Sequence, residues 1–181
     1  MKLMFASDIH GSAHFCRLTL DTYKKENAEK LILLGDLLYH GPRNDLPFEY
    51  NPKEVIKLLN NFKNELLCVR GNCEAEVDQM VLEFPVMAEY MIIYLDGKMV
   101  FITHGHTHNH KTPPPINDGD LLIHGHTHIP AAEKIDNYIY LNPGSVSIPK
   151  GGYKNSYMIY ENNKFTIKTF ESEIIKEISI K

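Results

Sequence analysis

The sequence predicts an α/β fold of layered sheets flanked by helices, and three observations carry that expectation. Short apolar runs end repeatedly in small polar clusters: KLMFASDIHG, KLILLGDLLYHG, ELLCVRGNCE, MVFITHGH, LLIHGHTH and YIYLNPGS. Each reads as a strand emptying into a loop, and helical periodicity fills the gaps between the first three. From Tyr90 onward the pattern is strand-like runs separated by turn signals. An N-terminal half of alternating strand and helix followed by a β-rich half implies layered sheets with helices against them.

The first helix is expected from Ser12, its N-cap, to Asn27, with Phe15, Leu18 and Thr22 at helical spacing. A second covers Pro52 to Lys63, with Val55, Leu58, Leu59 and Phe62 on one stripe. Asn51 stands at its N-cap, Pro52 in its first turn and Glu54 at the capping-box position. A shorter helix covers Ala75 to Leu82. Asp96-Gly97 and Asn162-Asn163 read as hairpin turns between strands, and Pro113 to Pro115 mark a stiff loop.

A chain of 181 residues suits one domain, expected over 1–181. Hydrophobic residues at 43% and charged residues at 23% match a chain that folds rather than one that stays disordered. The longest strongly apolar stretch, Tyr90 to Leu95, is far short of the roughly 20 residues of a membrane-spanning helix. Leu3 to Ala6 is too short for the apolar part of a signal peptide, so a cytoplasmic location is expected. Cys16, Cys68 and Cys73 form an odd set without CxxC spacing, which argues for reduced thiols rather than a disulfide framework or a thiolate zinc site. The net charge of −4 argues against a nucleic-acid polymer and favours small substrates.

Seven of the ten histidines fall between His104 and His128, which points to a binding centre rather than scattered surface residues. Imidazole, carboxylate and amide oxygen together suit borderline divalent ions such as Mn, Fe and Zn, and so favour hydrolysis. In Asp8-Ile9-His10 two ligands stand two positions apart at a strand end. Asp36 follows Gly35 at the next strand end, and its two oxygens allow it to bridge two ions. Asn72 follows Gly71 and offers a neutral carbonyl oxygen; His104, His126 and His128 end later strands. The four residues GHTH occur twice, at 105–108 and 125–128, so His106 and His108 compete with His126 and His128 for the terminal pair.

DxH, GD, GN, HG and GHxH in this order resemble the signature of the calcineurin-like metallophosphoesterases. HGPRN at 40–44, RGNCE at 70–74, EVDQM at 76–80 and NPGSVSIPKGG at 142–152 further resemble the YfcE-type phosphodiesterases within it. The resemblance implies a four-layer αββα sandwich of mixed sheets flanked by helices, with the site at the strand ends. It assigns Asp8, His10, Asp36 and His128 to one metal and Asp36, Asn72, His104 and His126 to the other, and it favours 126 and 128 for the terminal pair because Ile129-Pro130 follows. Two divalent ions are implied, Mn²⁺ first, with Fe, Zn or Ni as alternatives, acting on a small phosphodiester through a metal-activated hydroxide. Metals about 3.5–4 Å apart can acidify a water and stabilise charge on the phosphoryl oxygens. Two dications outweigh two carboxylates and one hydroxide, leaving a net positive centre that attracts an anionic diester. The resemblance also suggests a homo-oligomer, dimer or tetramer.

Asp36, Asn72, His104 and Cys73 are the expected catalytic residues, and Cys73 marks a departure. Most of the superfamily has histidine directly after GN, a residue assigned to protonating the leaving group. A thiol is a weak donor with a reference pKa of about 8.5, so acidic leaving groups are expected to be favoured. His40 or His106 is the alternative acid. Arg43 is expected to grip a phosphate oxygen, with His40 and His106 as further substrate-facing candidates and Asn44 behind them, while His108, His110, His14 and His124 are expected in loop or packing roles. The rival functions are a phosphomonoesterase of the same superfamily and a non-catalytic binding scaffold like the retromer subunit of this fold.

Overall fold

The computed structural model describes residues 1–180; Lys181, the last residue of the expected domain, lies outside the described residues. The elements run β1 (Lys2–Ala6), α1 (Ala13–Glu26), β2 (Lys30–Leu33), α2 (Pro52–Asn60), β3 (Leu66–Cys68), α3 (Glu76–Val81), β4 (Tyr90–Leu95), β5 (Lys98–Thr103), β6 (Leu121–Ile123), β7 (Ala131–Ile135), β8 (Tyr138–Asn142), β9 (Ser156–Glu161), β10 (Lys164–Thr169) and β11 (Ile174–Ser179). They form two sheets, ordered β11-β10-β9-β1-β2-β3 and β4-β5-β6-β8-β7. In the first, β1, β2 and β3 are parallel and β9, β10 and β11 continue antiparallel. In the second, β5, β6 and β8 are parallel between antiparallel edges β4 and β7. Mixed sheets flanked by helices are thus what the sequence pattern anticipated.

Side-chain alternation sorts β1 and β2 into two faces. Leu3, Phe5, Ile32 and Leu34 meet Val100, Ile102, Ile123 and Phe165 between the sheets. Met4, Ala6, Leu31 and Leu33 pack with Cys16, Leu20, Val55 and Leu59 of α1 and α2 on the other side. Over the outer face of the second sheet, Phe101, Leu122, Tyr138 and Tyr140 are packed by Ile116 from the 104–120 connection, which takes the place of a helix in that layer.

Ser12 caps α1 by accepting from Phe15 N, and Asn27 closes it in the left-handed conformation. The buried stripe differs from the expected Phe15, Leu18 and Thr22. Ala13, Cys16, Thr19, Leu20, Thr22 and Tyr23 are buried, whereas Phe15 and Leu18 are half-buried. Thr19 can be buried because its hydroxyl donates to the Phe15 carbonyl, which leaves no polar group unpaired. Asn51 caps α2 as expected, but the Glu54 carboxylate pairs with Lys57 instead of closing a capping box. That helix stops at Asn60 rather than Lys63, since the Asn60 side chain is engaged by Val81 O and Glu83 N, and the chain tightens into turns with Phe62 N donating to Leu59 O. Both expected hairpins form, at Asp96-Gly97 and Asn162-Asn163.

At the end of α1, the Glu26 carboxylate accepts from Lys2 of β1, Tyr157 of β9 and Lys168 of β10. Burial raises its pKa, but the two ammonium groups and the hydroxyl prevail and hold it at about 2 against an ordinary 4.5. A carboxyl depressed in the folded state stabilises above its unfolded pKa and loses that contribution as pH falls through the folded value. Glu26→Gln is therefore expected to destabilise the protein by about 1 kcal/mol at pH 7, with the difference shrinking below about pH 4.5 and gone below about pH 2. Urea unfolding of both proteins across that range checks it.

Candidate metal centre

Five loops converge at the carboxyl ends of the parallel strands: after β1 (Asp8, His10), β2 (Asp36), β3 (Asn72), β5 (His104) and β6 (His126, His128). The loops are stitched together by backbone bonds, His10 N to Asp36 O at 2.8 Å, Gly11 N to Leu37 O at 2.8 Å and Gly125 N to His104 O at 2.9 Å. The Asp8 carbonyl accepts from the hydroxyls of Ser145 at 2.9 Å and Ser147 at 2.8 Å. Asp8, His10, Asp36, His126 and His128 all have left-handed backbone, with φ between 51° and 63°. Such conformations are uncommon outside glycine and cluster at functional sites. Gly71 must be glycine for a different reason: a Cβ there would collide with the Asp36 carboxylate and the backbone of the Asp36 turn.

The seven expected ligands are brought together. Asp8 is fully buried; its Oδ2 accepts from Ser7 Oγ at 2.6 Å and His126 N at 3.1 Å, while Oδ1 has no hydrogen-bond partner among the described residues. That oxygen lies 3.2 Å from His128 Nε2 and 3.6 Å from His10 Nε2, and those two nitrogens are 3.3 Å apart. On the other side, His104 Nε2 lies 3.1 Å from Asn72 Oδ1 and 3.2 Å from His126 Nδ1. Asp36 sits between the two groups: Oδ1 accepts from Cys73 N at 2.9 Å, and Oδ2 is 3.7 Å from His10 Nε2 and 3.5 Å from His104 Nε2. The expectation of a carboxylate that bridges with two oxygens is thereby refined, because only Oδ2 faces both groups.

Backbone carbonyls fix the imidazoles. Nδ1 of His10 faces Tyr39 O at 2.8 Å, Nδ1 of His104 faces Leu34 O at 2.6 Å and Nδ1 of His128 faces Ile148 O at 2.6 Å. Each contact favours the Nδ1–H tautomer and turns an Nε2 lone pair inward, the usual arrangement of a metal-bound histidine. Lone pairs crowded at such distances, beside an unpartnered buried carboxylate oxygen, fit divalent cations: bonds of about 2.0–2.2 Å put neighbouring donors about 3.0–3.5 Å apart.

Electrostatics agree. Burial opposes charge on Asp8 and Asp36, yet His10 and His128 hold Asp8 well below the usual carboxylate range, and His104 holds Asp36 below it. Burial works against the His104 cation, but Asp36 and Asp8 push its pKa up to about 9, so a proton competes with a metal ion for its Nε2; burial and His104 bring His126 down to about 4. The Cys73 thiol is driven upward by burial and by Asp36, so it is protonated beside the centre. Its sulfur also groups with His10 and Asp36 as a possible donor.

A cleft of about 420 Å³ opens over these residues, lined by Arg43, Asn44, Asn72, Cys73, His126 and His128 together with Thr127 and Lys150. His40 and His106 do not line it. The His40 ring packs edge-on against Tyr39 and Tyr50, and its carbonyl accepts from Asn44 Nδ2 at 2.8 Å. His106 is exposed, its ring 5.5 Å from that of His104. His108 meets Phe101 edge-on.

Sequence reasoning missed Glu74. Its buried carboxylate accepts from Asp36 N at 2.8 Å, Leu37 N at 2.7 Å and Gly71 N at 2.5 Å, and so clamps the turns that carry Asp36 and Asn72. Ser145, Ser147, Thr127 and Lys150 were also passed over. The signal lies in the polar residues of RGNCE at 70–74 and NPGSVSIPKGG at 142–152, and for Thr127 in the second GHTH.

A protein-family model, the calcineurin-like phosphoesterase superfamily domain, matches residues 1–164, and the chain belongs to this superfamily. The superfamily implies divalent metal ions, which the donor set fits. Among individual proteins, the chain is 44% identical over 181 residues to phosphodiesterase YfcE of Escherichia coli K12, spanning 99% of this chain and 98% of that protein. The solved structure of that E. coli phosphoesterase covers all of both chains at 43% identity and TM-score 0.98. Zinc-bound Vps29 of Entamoeba histolytica, 17% identical with TM-score 0.60 over all of both chains, shares the fold alone.

Removing the charge of Glu74 while keeping its shape tests the clamp. Glu74→Gln places an N–H₂ against backbone donors and is expected to lower metal affinity about 10- to 100-fold, the usual cost of losing an outer contact. Competitive metal titration measures this, and unchanged affinity would show that the clamp does not position ligands.

Proposed function

We propose that this chain is a metal-dependent phosphodiesterase, folded as one domain, that hydrolyses small phosphodiesters at a dinuclear centre. The observation that carries the reading is the pair of inward oxygens, Asp8 Oδ1, buried without a hydrogen-bond partner among the described residues, and Asp36 Oδ2, each facing imidazole nitrogens held by backbone carbonyls. Asp8, His10, Asp36 and His128 would hold one ion, and Asp36, Asn72, His104 and His126 the other. Mn²⁺ is the ion proposed, ahead of Fe, Zn or Ni, on the mixed nitrogen and oxygen donor set. The E. coli relative named as a phosphodiesterase supports the diester class. Three free cysteines accord with a cytoplasmic setting.

When bound, the ions would supply a water acidified for attack and positive charge against the phosphoryl oxygens. The chain's own residues then bind and orient. Arg43 and Lys150 both line the cleft and offer cationic donors to the phosphoryl oxygens. Asn44 also lines the cleft, with its amide nitrogen donating to the His40 carbonyl. Cys73 stands next to Asn72 in place of a stronger acid, and a thiol is a weak donor, so the alkoxide departs with little help.

Loading the protein with each metal in turn and assaying diesters against monoesters of the same phenol tests reaction class and cofactor together. Diester hydrolysis highest with Mn²⁺ is expected, and preferential monoester hydrolysis would favour the rival phosphatase. Asp36→Asn should cut kcat/KM by about 10²–10³-fold or more. Across a series of aryl and alkyl esters the rate should fall steeply as leaving-group pKa rises; a flat dependence would show that the leaving group is protonated efficiently.

A further inference from the structure

We propose that an aromatic pocket beside the cleft receives the arm of the diester that does not leave, and that this arm carries a flat aromatic ring. The inference rests on the phosphodiesterase reading for what the ring is attached to, and on the following geometry for where it goes.

The pocket is an open recess of about 320 Å³; Tyr140, His110, Ile129, Pro130 and Tyr153 form its aromatic and apolar lining, and Lys111, Glu133 and Lys176 also line it. That volume accepts one aromatic ring with a short linker. It adjoins the cleft: Thr127 lines both. Two chain segments also run along both. One gives His126 and His128 to the cleft and Ile129 and Pro130 to the pocket, and the other gives Lys150 to the cleft and Tyr153 to the pocket.

The pocket's aromatic side is prearranged. Rings of His110 and Tyr140 stack at 4.6 Å and 23°, and those of His124 and Tyr140 at 4.7 Å and 27°. His110 Nδ1 and His124 Nε2 meet at 3.3 Å, and Tyr138 Oη donates to the His110 carbonyl at 3.2 Å. Asn142 Nδ2 donates to Thr127 Oγ1 at 3.0 Å and Tyr140 Oη at 3.2 Å, which ties the shared residue to the stack. This gives the two histidines, His110 and His124, a use that the metal centre does not. Burial and nearby Lys111 keep His110 below its usual pKa, so the stack is uncharged at neutral pH. Ile129 and Tyr153, meanwhile, leave apolar surface open at 41% and 36% exposure. Flat uncharged faces beside open apolar side chains match an aromatic ring; a methyl group would fill little of the space.

The test uses metal-loaded protein and three p-nitrophenyl phosphodiesters whose second arm is methyl, phenyl or 2-phenylethyl, so the leaving group is constant and the reach varies. KM is expected to be lower for an aromatic arm than for methyl. Tyr153→Ala should narrow that methyl-to-aromatic KM ratio about fivefold or more, as loss of one stacking partner does. Equal KM values for all three arms, or a ratio untouched by Tyr153→Ala, would overturn the pocket while leaving the hydrolase reading intact. Calorimetric titration with dimethylphosphinate and methyl(2-phenylethyl)phosphinate, monoanions whose P–C bonds cannot be hydrolysed, reads the pocket without turnover. If no ester is hydrolysed, the hydrolase reading fails by itself; tighter binding of the phenylethyl phosphinate would still support the pocket, and equal binding would overturn it.

Discussion

Asp8 and Asp36 are carboxylates taken out of bulk water, Asp8 fully and Asp36 nearly so where it lines the cleft, and much of the molecule's local design answers to that. A carboxylate without water or partner is costly enough that proteins either protonate it or surround it. Here it is surrounded. One oxygen of each is satisfied by the protein, Asp8 Oδ2 by Ser7 and the His126 amide and Asp36 Oδ1 by the Cys73 amide. The other oxygen is left facing imidazoles whose far nitrogens are already committed to backbone carbonyls. The chain therefore presents two anionic oxygens and several lone pairs to shared points in space, and it has spent its own donors in doing so.

That arrangement constrains the backbone. Residues two apart on a strand share a face but stand about 6.6 Å apart along it, too far for one ion, so placing Asp8 and His10 on one centre requires the chain to leave the extended path at once. Left-handed φ at both residues accomplishes this, and the same device recurs at Asp36, His126 and His128. Elsewhere the left-handed residues include Asn27 at a helix end and Asp96, Asn162 and Asn163 in hairpin turns, where asparagine and aspartate adopt it at low cost. Histidine gains nothing comparable from a turn, so its left-handed conformations at the centre are held in place by the interlocked loops around them.

Much of this was legible before the structure. Ser12 and Asn51 marked helix starts because capping is local chemistry, and the two hairpins followed from residues that tolerate the turn. The ligand order was legible because each ligand closes a strand-like run. What escaped depends on partners distant in sequence. Glu74 looked like one acidic residue among many until its three backbone donors were brought around it. Cys16 and Thr19 displaced Phe15 and Leu18 from the buried stripe of α1 because the helix's roll against the sheet, rather than hydrophobicity alone, decides which side faces in. That Asp36 has only one free oxygen follows from the Cys73 amide, a backbone group on another loop.

The two proposed donor sets draw on both sheets at once. Asp8, His10, Asp36 and Asn72 follow strands of the first sheet, and His104, His126 and His128 follow strands of the second. Each set takes members from both, so an ion bound there acts as a rivet through the seam of the sandwich, and separating the sheets would require releasing it. Anything that binds only the folded form raises its resistance to unfolding in proportion to the logarithm of its concentration. The firmness of this seam is thus partly set by the free ion level around the protein, so the same chain would be a looser object in a metal-poor medium than in a metal-rich one.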